Sequence, residues 1–204
     1  MITYLIIGVT VACSLLVMWR DGQHGAGLAL RLAMSPWRVV HGREWHRVLT
    51  HGFVHADLTH LLVNMFTFWS FGVHVEQLLR QLGYLSATFL ALYFGGMAAA
   101  SVYDLVARRN NPHYNSIGAS GAVSAVLFAS IFFGPWDKVL LFAAIPMPGI
   151  VFGVAYLLYE WWSARRQGDG VNHLAHICGA IFGFAFPLIL NPGMIRIFLS
   201  GLKI

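Results

Sequence analysis

Charged side chains are scarce in this sequence. Only 10% of the 204 residues are Asp, Glu, Lys or Arg, whereas 58% are hydrophobic. Soluble domains carry about 25% charged residues, so the composition excludes an ordinary soluble domain and favours a protein embedded in a lipid bilayer. The 13 Lys and Arg outnumber the 8 Asp and Glu, but no basic run is longer than two residues. We therefore expect no nucleic-acid partner and interpret the basic stretches as loops between membrane spans.

Cysteine and basic residues near the N-terminus are also rare. Cys13 and Cys178 both lie in apolar runs and belong to no CxxC or zinc-ligand pattern, so they identify neither a redox compartment nor a metal site. The first apolar stretch has no basic region before it. This favours a first membrane span that is retained over a cleaved signal peptide.

Long apolar runs, by contrast, recur along the chain. A membrane helix needs about 20 mostly apolar residues. The spans that we predict are residues 2–19, 58–75, 84–106, 117–134, 139–161 and 173–190. They indicate a single all-α membrane domain over residues 1–204. The connection at 20–57 is rich in apolar residues, so we expect part of it to lie in the membrane interface, with Trp37 and Trp45 at the headgroups.

Several polar residues stand near the beginnings of these spans. Span two carries His60 and, one turn later, Asn64; span four begins around Ser120; span six carries His176. If consecutive spans cross in alternate directions, spans two, four and six are parallel and begin on the same side. At a rise of about 1.5 Å per residue, the four groups are then predicted at similar depths below one surface. Polar groups in a bilayer are costly, which makes this layer a candidate functional site.

The four polar groups suit acyl transfer. An imidazole such as His176 can take the proton of the Ser120 hydroxyl and so activate it as a nucleophile. The oxyanion that forms requires preorganised donors, which His60, Asn64 and backbone N–H groups at a helix start can supply. Gly118 lets the backbone approach closely beside the serine. Because no Asp or Glu lies nearby in the sequence, a Ser–His dyad is predicted rather than a triad.

Three short sequence boxes contain these residues. GASG lies at 118–121, HLLVN at 60–64 and AHICGAIFG at 175–183. In this order and on these spans they resemble the GxSG, HxxxN and AHxxGxxxG boxes of the rhomboid intramembrane serine proteases. EWHRVLTHGFVHADLTH at 44–60 resembles the first-loop pattern of the same family, in which Glu44 and Arg47 would be structural. The resemblance covers nearly the whole chain and implies a six-transmembrane-helix rhomboid bundle with a long, partly membrane-embedded first loop.

The resemblance also implies a role for each residue. Ser120 would be the nucleophile and His176 the general base, while His60, Asn64 and Gly118 would form the oxyanion hole. The expected activity is a serine endopeptidase that requires no metal or other cofactor and cleaves transmembrane protein substrates within the lipid bilayer. We expect a bacterial plasma membrane with the active site on the outer side, although the distribution of Arg and Lys favours the reverse orientation. The oligomeric state is not indicated.

One position departs from the family pattern. Some members carry a tyrosine one turn after the nucleophile, packed on the catalytic histidine, but this chain has Ser124. Another group must therefore orient His176. We expect the loop at 163–172 to cover the site as a lid, and the resemblance makes span five, residues 139–161, the gate through which a substrate enters.

Two binding functions and a second protease class are the alternatives. His60 and His74, 14 residues apart, could ligate haems at opposite faces of the membrane, but no other span offers a matching pair of histidines. His51 and His55 have a spacing found in zinc metalloproteases, but the HExxH motif is missing. A non-proteolytic membrane protein that binds partners on the same fold would leave Ser120 idle.

Overall fold

A computed structural model describes residues 1–25, 27–141, 144–166 and 170–202. Its α-helices are, in chain order, α1 Ile2–His24, α2 Gly27–Leu32, α3 Pro36–Gly42, α4 Arg47–Thr50, α5 Leu58–Gln81, α6 Ser86–Ala107, α7 Ser120–Phe133, α8 Gly149–Arg166, α9 His173–Leu190 and α10 Ile195–Gly201. Short 3₁₀ helices occupy His51–Phe53 and Pro192–Met194. Two strands, β1 Lys138–Leu141 and β2 Ile145–Pro148, pair as an antiparallel hairpin.

Three of the described helices, α1, α6 and α9, are long and apolar enough to cross a bilayer. Their outward faces carry exposed large hydrophobic side chains, such as Leu16, Val106 and Ile181. Continuous apolar surface of this kind would be unfavourable in water and is stable in contact with lipid. The mostly helical, apolar fold agrees with the composition.

The helices α7 and α9 run parallel at very close range. Gly179 lies against the backbone of Gly121, and Gly183 lies against the backbone of Ala125, so the contacts advance in the same direction along both helices. A Cβ at either glycine of α9 would overlap the α7 backbone. Small residues four positions apart therefore set this interface, as in other tightly packed membrane helices.

The helix α6 runs antiparallel to both α5 and α7. The contacts that define these directions are Arg80–Ser86 and Phe68–Tyr93 for α5, and Gly96–Ala125 and Ala100–Gly121 for α7. It follows that α5, α7 and α9 are parallel to one another, and that their N-terminal ends lie on the same side of the molecule.

A buried carboxylate joins α1 to the far end of α5. Glu76 accepts hydrogen bonds from the backbone N–H groups of Ile2 and Thr3, each at 2.9 Å. It also forms an ion pair with Arg80 at 3.0 Å. The first N–H groups of a helix have no partner within the helix. Glu76 supplies one for α1 and places its charge at the positive end of the helix dipole.

The connection between α1 and α5 folds around a buried arginine. Arg47 donates to the carbonyl oxygens of Leu30 and Ala33, both at 2.8 Å, and pairs with Glu44 at 2.6 Å. The Arg47 hydrogen bond holds the pKa of the Glu44 carboxyl below its usual range. Glu44 and Arg47 therefore hold the connection together, which is the structural role that the family resemblance implies for them.

The structure differs from the sequence prediction in the region of span five. Residues 138–141 and 145–148 form the β-hairpin, and α8 begins only at Gly149 rather than at 139. Pro146 and Pro148 explain the late start, because proline disfavours a helical conformation in the residue before it. The domain is thus helical with a small β-hairpin rather than purely α-helical.

Two boundaries near the candidate site also differ. The helix α7 begins at Ser120 and not at 117, because Gly118 has a φ of +120° that no helix contains. The helix α8 continues to Arg166, so the first part of the predicted lid, 163–166, is helical. Residues 167–169 of that lid lie outside the described residues.

Candidate active site

A cavity of about 1240 Å³ opens at the N-terminal ends of α5, α7 and α9. Four of the five predicted site residues line it: His60, Asn64, Ser120 and His176. Its lining includes side chains from α5, α7, α8 and α9. Within the described residues no hydrogen bond joins Ser120 directly to His176, and catalytic hydrogen bonds often form only when a substrate is bound.

The turn that precedes Ser120 is held by the connection between α1 and α5. Gly118 N–H donates to the carbonyl oxygen of His51 at 2.9 Å, and Ala119 N–H donates to Nε2 of His55 at 3.4 Å. Ser116 and Met34 exchange two further backbone hydrogen bonds, at 2.9 and 3.0 Å. These four bonds fix the position at which α7 begins and therefore where the Ser120 hydroxyl stands.

Gly118, the fifth predicted residue, lies against His60. A Cβ on Gly118 would lie 2.6 Å from Cε1 and 2.8 Å from Nε2 of the His60 ring. Its φ of +120° is also one that residues with side chains rarely adopt. The missing side chain therefore permits the His60 ring to approach the turn beside Ser120.

Asn64 is buried one turn below His60. Its Nδ2 donates one hydrogen bond to the His60 carbonyl oxygen at 2.9 Å. A carboxamide has two N–H groups. The second N–H of Asn64 can therefore donate to a group bound in the cavity, which the Asn64 side chain lines.

His176 is oriented by a carboxylate from another helix. Its Nδ1 lies 3.0 Å from Oε1 of Glu160 on α8, and Nδ1 of His173 lies 2.6 Å from Oε2 of the same carboxylate. Glu160 is buried, with 4% of its surface exposed. The sequence left this orienting group unidentified, because no Asp or Glu lies near the serine or the histidine along the chain; the structure places Glu160, 16 residues before His176, beside its ring.

Some family members carry a tyrosine at the position of Ser124, one turn after the nucleophile. In this chain a tyrosine of α8, Tyr156, reaches that position from the neighbouring helix. The hydroxyl of Tyr156 lies 2.8 Å from Oγ of Ser124, and the Tyr156 ring packs on Phe128 at a centroid distance of 5.7 Å. Tyr156 and Glu160 are one turn apart, so one face of α8 contacts both α7 and α9.

The start of α9 is fixed by a second polar network. Oδ1 of Asn172 caps the helix by accepting from the N–H of Ala175 at 3.2 Å, and its Nδ2 donates to Asp104 of α6 at 2.6 Å. Asp104 also accepts from the hydroxyl of Tyr114 at 3.1 Å. An asparagine before an apolar helix is a recognisable N-cap signal, but its partner Asp104 could not be identified from sequence spacing.

Metal-ligating atoms converge at one place among the described residues. Glu160, His173 and His176 each offer one ligand atom, and these atoms lie within 4.8 Å of one another. His51 and His55, the predicted zinc alternative, are not in this group: His51 Nδ1 lies 2.9 Å from the Arg47 carbonyl, and His55 binds Ala119. His74, which the haem alternative requires, is exposed and does not line the cavity.

His55 is a neutral acceptor inside the protein. Its Nε2 accepts from Ala119 N–H, while Nδ1 lies 3.0 Å from Oγ of Ser14, which itself donates to the Phe53 carbonyl. Burial, together with the neighbouring His60 imidazole, lowers the pKa of His55 to about 4. His55 belongs to the first-loop pattern at 44–60, but that pattern does not indicate its contact with the turn before Ser120.

The lowered pKa predicts a loss of stability in mild acid. An unfolded histidine has a pKa of about 6.5, so the unfolded chain binds more protons than the folded one between about pH 6.5 and pH 4. The contribution of His55 to the free energy of unfolding should fall by roughly 3 kcal/mol across that interval and stay constant below it. Thermal unfolding in detergent at both pH values measures this change. The His55→Gln variant keeps an acceptor that does not titrate and should lose less; an equal loss would contradict the assignment.

Comparisons with known proteins identify the family to which the chain is similar. A family model described as Rhomboid domain matches residues 42–193. The chain is 32% identical over 149 residues to "Rhomboid protein 1, mitochondrial" of Saccharomyces cerevisiae, which covers 68% of this chain and 40% of the yeast protein. It is 30% identical to "Rhomboid-like protein 11, chloroplastic" of Arabidopsis thaliana, over 72% of this chain and 53% of that protein. With "Rhomboid protease GluP" of Bacillus subtilis it shares 26% identity over 90% of this chain and 34% of the relative. The chain thus spans between 34% and 53% of the lengths of these relatives.

Proposed function

Because this chain belongs to the rhomboid family and is an integral membrane protein, we propose that it is a serine endopeptidase that hydrolyses peptide bonds in or near the transmembrane segments of other membrane proteins. The observation that carries the proposal is the common cavity lined by Ser120, His176, His60 and Asn64. A hydroxyl nucleophile, an imidazole base and neutral hydrogen-bond donors around one cavity are the groups that acyl transfer requires.

Acylation begins with attack by Ser120 on the carbonyl carbon of the scissile peptide bond. Oγ forms the new C–O bond, its proton passes to Nε2 of His176, and the carbonyl oxygen becomes an oxyanion. When the tetrahedral intermediate collapses, the C–N bond breaks and the His176 imidazolium returns the proton to the leaving amine. The products are an ester on Ser120 and a fragment with a new N-terminus.

Deacylation uses the same groups with water as the nucleophile. His176 takes a proton from water as its oxygen attacks the ester carbon, and then gives the proton to Oγ of Ser120 as the C–O bond breaks. The second fragment leaves with a new carboxylate, and the enzyme is restored. The cavity, at about 1240 Å³, is large enough to hold the water that this step consumes.

The oxyanion is stabilised by donors at the start of α7 and on α5. The backbone N–H of Ser120 lies in the first turn of α7, where N–H groups have no partner within the helix. His60 and the second N–H of Asn64 approach from α5, and Gly118 makes the approach of His60 possible. Preorganised donors of this kind are worth about 10² to 10³ in rate each.

The proposal includes six membrane-crossing helices: α1, α5, α6, α7, α8 and α9. The connection between α1 and α5 then lies partly in the interface, and the active site faces the side on which α5, α7 and α9 begin. In the family orientation this is the outer side. A substrate helix enters from lipid between α5 and α8, whose side chains both line the cavity, and unwinds locally to expose its peptide bond.

The relatives do not favour one cellular membrane. Their printed names place them in mitochondria and in a chloroplast, and the Bacillus protein is bacterial. These comparisons give no support to the expected bacterial plasma membrane, so the proposal is limited to an integral membrane protein whose partners are lipid and transmembrane substrates.

The proposal is tested with the whole chain reconstituted in lipid vesicles. We expect cleavage of at least one member of a panel of single-span membrane proteins whose segments contain helix-weakening residues. We also expect covalent labelling by a fluorophosphonate, with the label on Ser120 in peptide mass spectrometry. A folded protein that neither cleaves nor takes the label would overturn the proposal in favour of a non-proteolytic rhomboid-like protein that binds membrane partners.

A chelator separates this mechanism from a metalloprotease built on Glu160, His173 and His176. The proposed mechanism uses no metal, so EDTA should change the cleavage rate by less than about twofold, whereas removal of a catalytic zinc would abolish it. The assay compares vesicle cleavage before and after chelation, with a zinc-dependent protease as the positive control. If activity were lost on chelation and recovered with Zn²⁺, the serine mechanism would be wrong, and the reaction would be assigned to a zinc ion bound by Glu160, His173 and His176.

A further inference from the structure

We propose that Glu160 is the positioning residue of the active site, so that α8 holds the catalytic histidine in its working orientation. This inference rests on the proposed function and extends it, because the sequence boxes supply a serine and a histidine but no third member. The structure supplies one from a helix that contributes neither of them.

The hydrogen bonds of Glu160 fix the tautomer of His176. An ionised carboxylate can only accept hydrogen bonds, so the contact at 3.0 Å requires that Nδ1 of His176 carries the proton. In the neutral ring Nε2 is then unprotonated and is the atom that can take the proton of Ser120. The second oxygen of Glu160 is occupied by His173 at 2.6 Å, which keeps the carboxylate from rotating away.

Burial strengthens this arrangement. Glu160 is 4% exposed and His173 is 5% exposed, so water competes little for the hydrogen bonds. When His176 becomes an imidazolium during acylation, the nearby carboxylate offsets its charge without any rearrangement. The same two effects, tautomer selection and charge compensation, belong to the acid of serine protease triads.

The contact between Glu160 and His176 depends on the position of α8. Its N-terminal end is fixed, because Gly149 and Ile150 donate backbone hydrogen bonds to Asp137 and Pro135 at 2.9 and 2.7 Å. Towards its other end, its polar contacts to α7 and α9 include those of Tyr156 with Ser124 and of Glu160 with the two histidines. Displacement of this half of α8 away from α9 would therefore remove the support of His176.

The test compares Glu160→Ala, Glu160→Gln and Glu160→Asp in vesicles. We expect Glu160→Ala to lower kcat and the rate of fluorophosphonate labelling by about 10² to 10⁴, with KM changed by less than about threefold. His176 and His173 contact different oxygens of Glu160, and Gln replaces one of these oxygens by an NH2 group that cannot accept, so Glu160→Gln should fall between Ala and wild type. Asp retains the charge and should recover part of the rate.

A spectroscopic readout separates positioning from a structural role. In protein labelled with ¹⁵N-histidine, the His176 ring should be the Nδ1–H tautomer in wild type and shift towards the Nε2–H tautomer in Glu160→Ala. The matched control is Glu76→Gln, which removes a buried carboxylate distant from the cavity. It should lower thermal stability without changing the labelling rate per folded molecule or the His176 tautomer.

Two outcomes would overturn the inference. One is a folded Glu160→Ala protein that labels and cleaves at the wild-type rate, and the other is a His176 tautomer that Glu160→Ala leaves unchanged. Neither affects the proposed function, which is tested separately by the labelling and cleavage of wild type and Ser120→Ala and by chelation. The tautomer measurement requires no activity, so it decides the position of His176 even if wild type neither labels nor cleaves.

Discussion

Replacement of Ser120 by alanine is expected to abolish covalent labelling and to reduce cleavage of transmembrane substrates by at least about 10⁴-fold. The substitution removes only Oγ, which is the atom that forms the bond to the substrate carbonyl. The helix should be unaffected, because alanine is a good helix former and Ser120 makes no side-chain hydrogen bond within the described residues. Cleavage rate in vesicles and fluorophosphonate incorporation, each per folded molecule, measure the effect.

The matched control for this variant is Ser130→Ala. Ser130 lies in the same helix, but in its last turn and away from the cavity. It should label and cleave as wild type does. If Ser120→Ala retained activity near that of Ser130→Ala, the serine mechanism would be wrong, and the Glu160–His173–His176 group would become the place to search for the chemistry.

The common position of the site residues could be predicted from sequence because it depends on topology. Alternate crossing of apolar spans makes every second helix parallel, and this is how α5, α7 and α9 are arranged. His60, Ser120 and His176 all fall in the first turns of these helices. This result requires only the number and order of the spans and the position of each residue within its span. A common depth for the three residues can therefore be predicted without knowing any side-chain contact.

The role of Glu160 could not be predicted in the same way. It lies 16 residues before His176 and near the far end of a different helix, so its contact depends on how α8 leans against α9. Hydropathy gives the order and direction of helices but not their tilt or rotation. One signal was nevertheless present: Glu160 is an acid within an apolar span, and a charge in such a position requires a partner.

The β-hairpin before α8 and the contact between His55 and Ala119 are two further features that the sequence did not predict. Pro146 and Pro148 signalled that a helix could not begin at 139, but the apolar composition of residues 139–145 outweighed them in the prediction of span five. His55 contacts Ala119, 64 residues away. A single sequence contains no information on a pairing of this length, although the same histidine stands in a recognisable first-loop pattern.

A Gly118→Ala variant is expected to lose about 10² to 10³ in kcat/KM while the helical bundle remains folded. The new methyl group would lie 2.6 Å from Cε1 of His60, and φ at this position is +120°. Either the His60 ring or the turn before Ser120 must therefore move, and each movement displaces an oxyanion donor. Labelling should slow together with cleavage, because both reactions pass through a tetrahedral centre beside Ser120.

Two controls assign this loss to its cause. Gly83 also has a positive φ, +84°, but nothing lies within 4 Å of its Cβ position. Gly83→Ala therefore incurs the backbone strain without the steric overlap, and it should affect stability but not the rate. In a His60→Ala background the ring is absent, so Gly118→Ala should lower kcat/KM by only a small fraction of the loss that it causes in wild type. A double-mutant cycle measures that coupling. If the two losses simply multiplied, the close approach of Gly118 to His60 would have no part in catalysis, and the glycine would serve only to shape the start of α7.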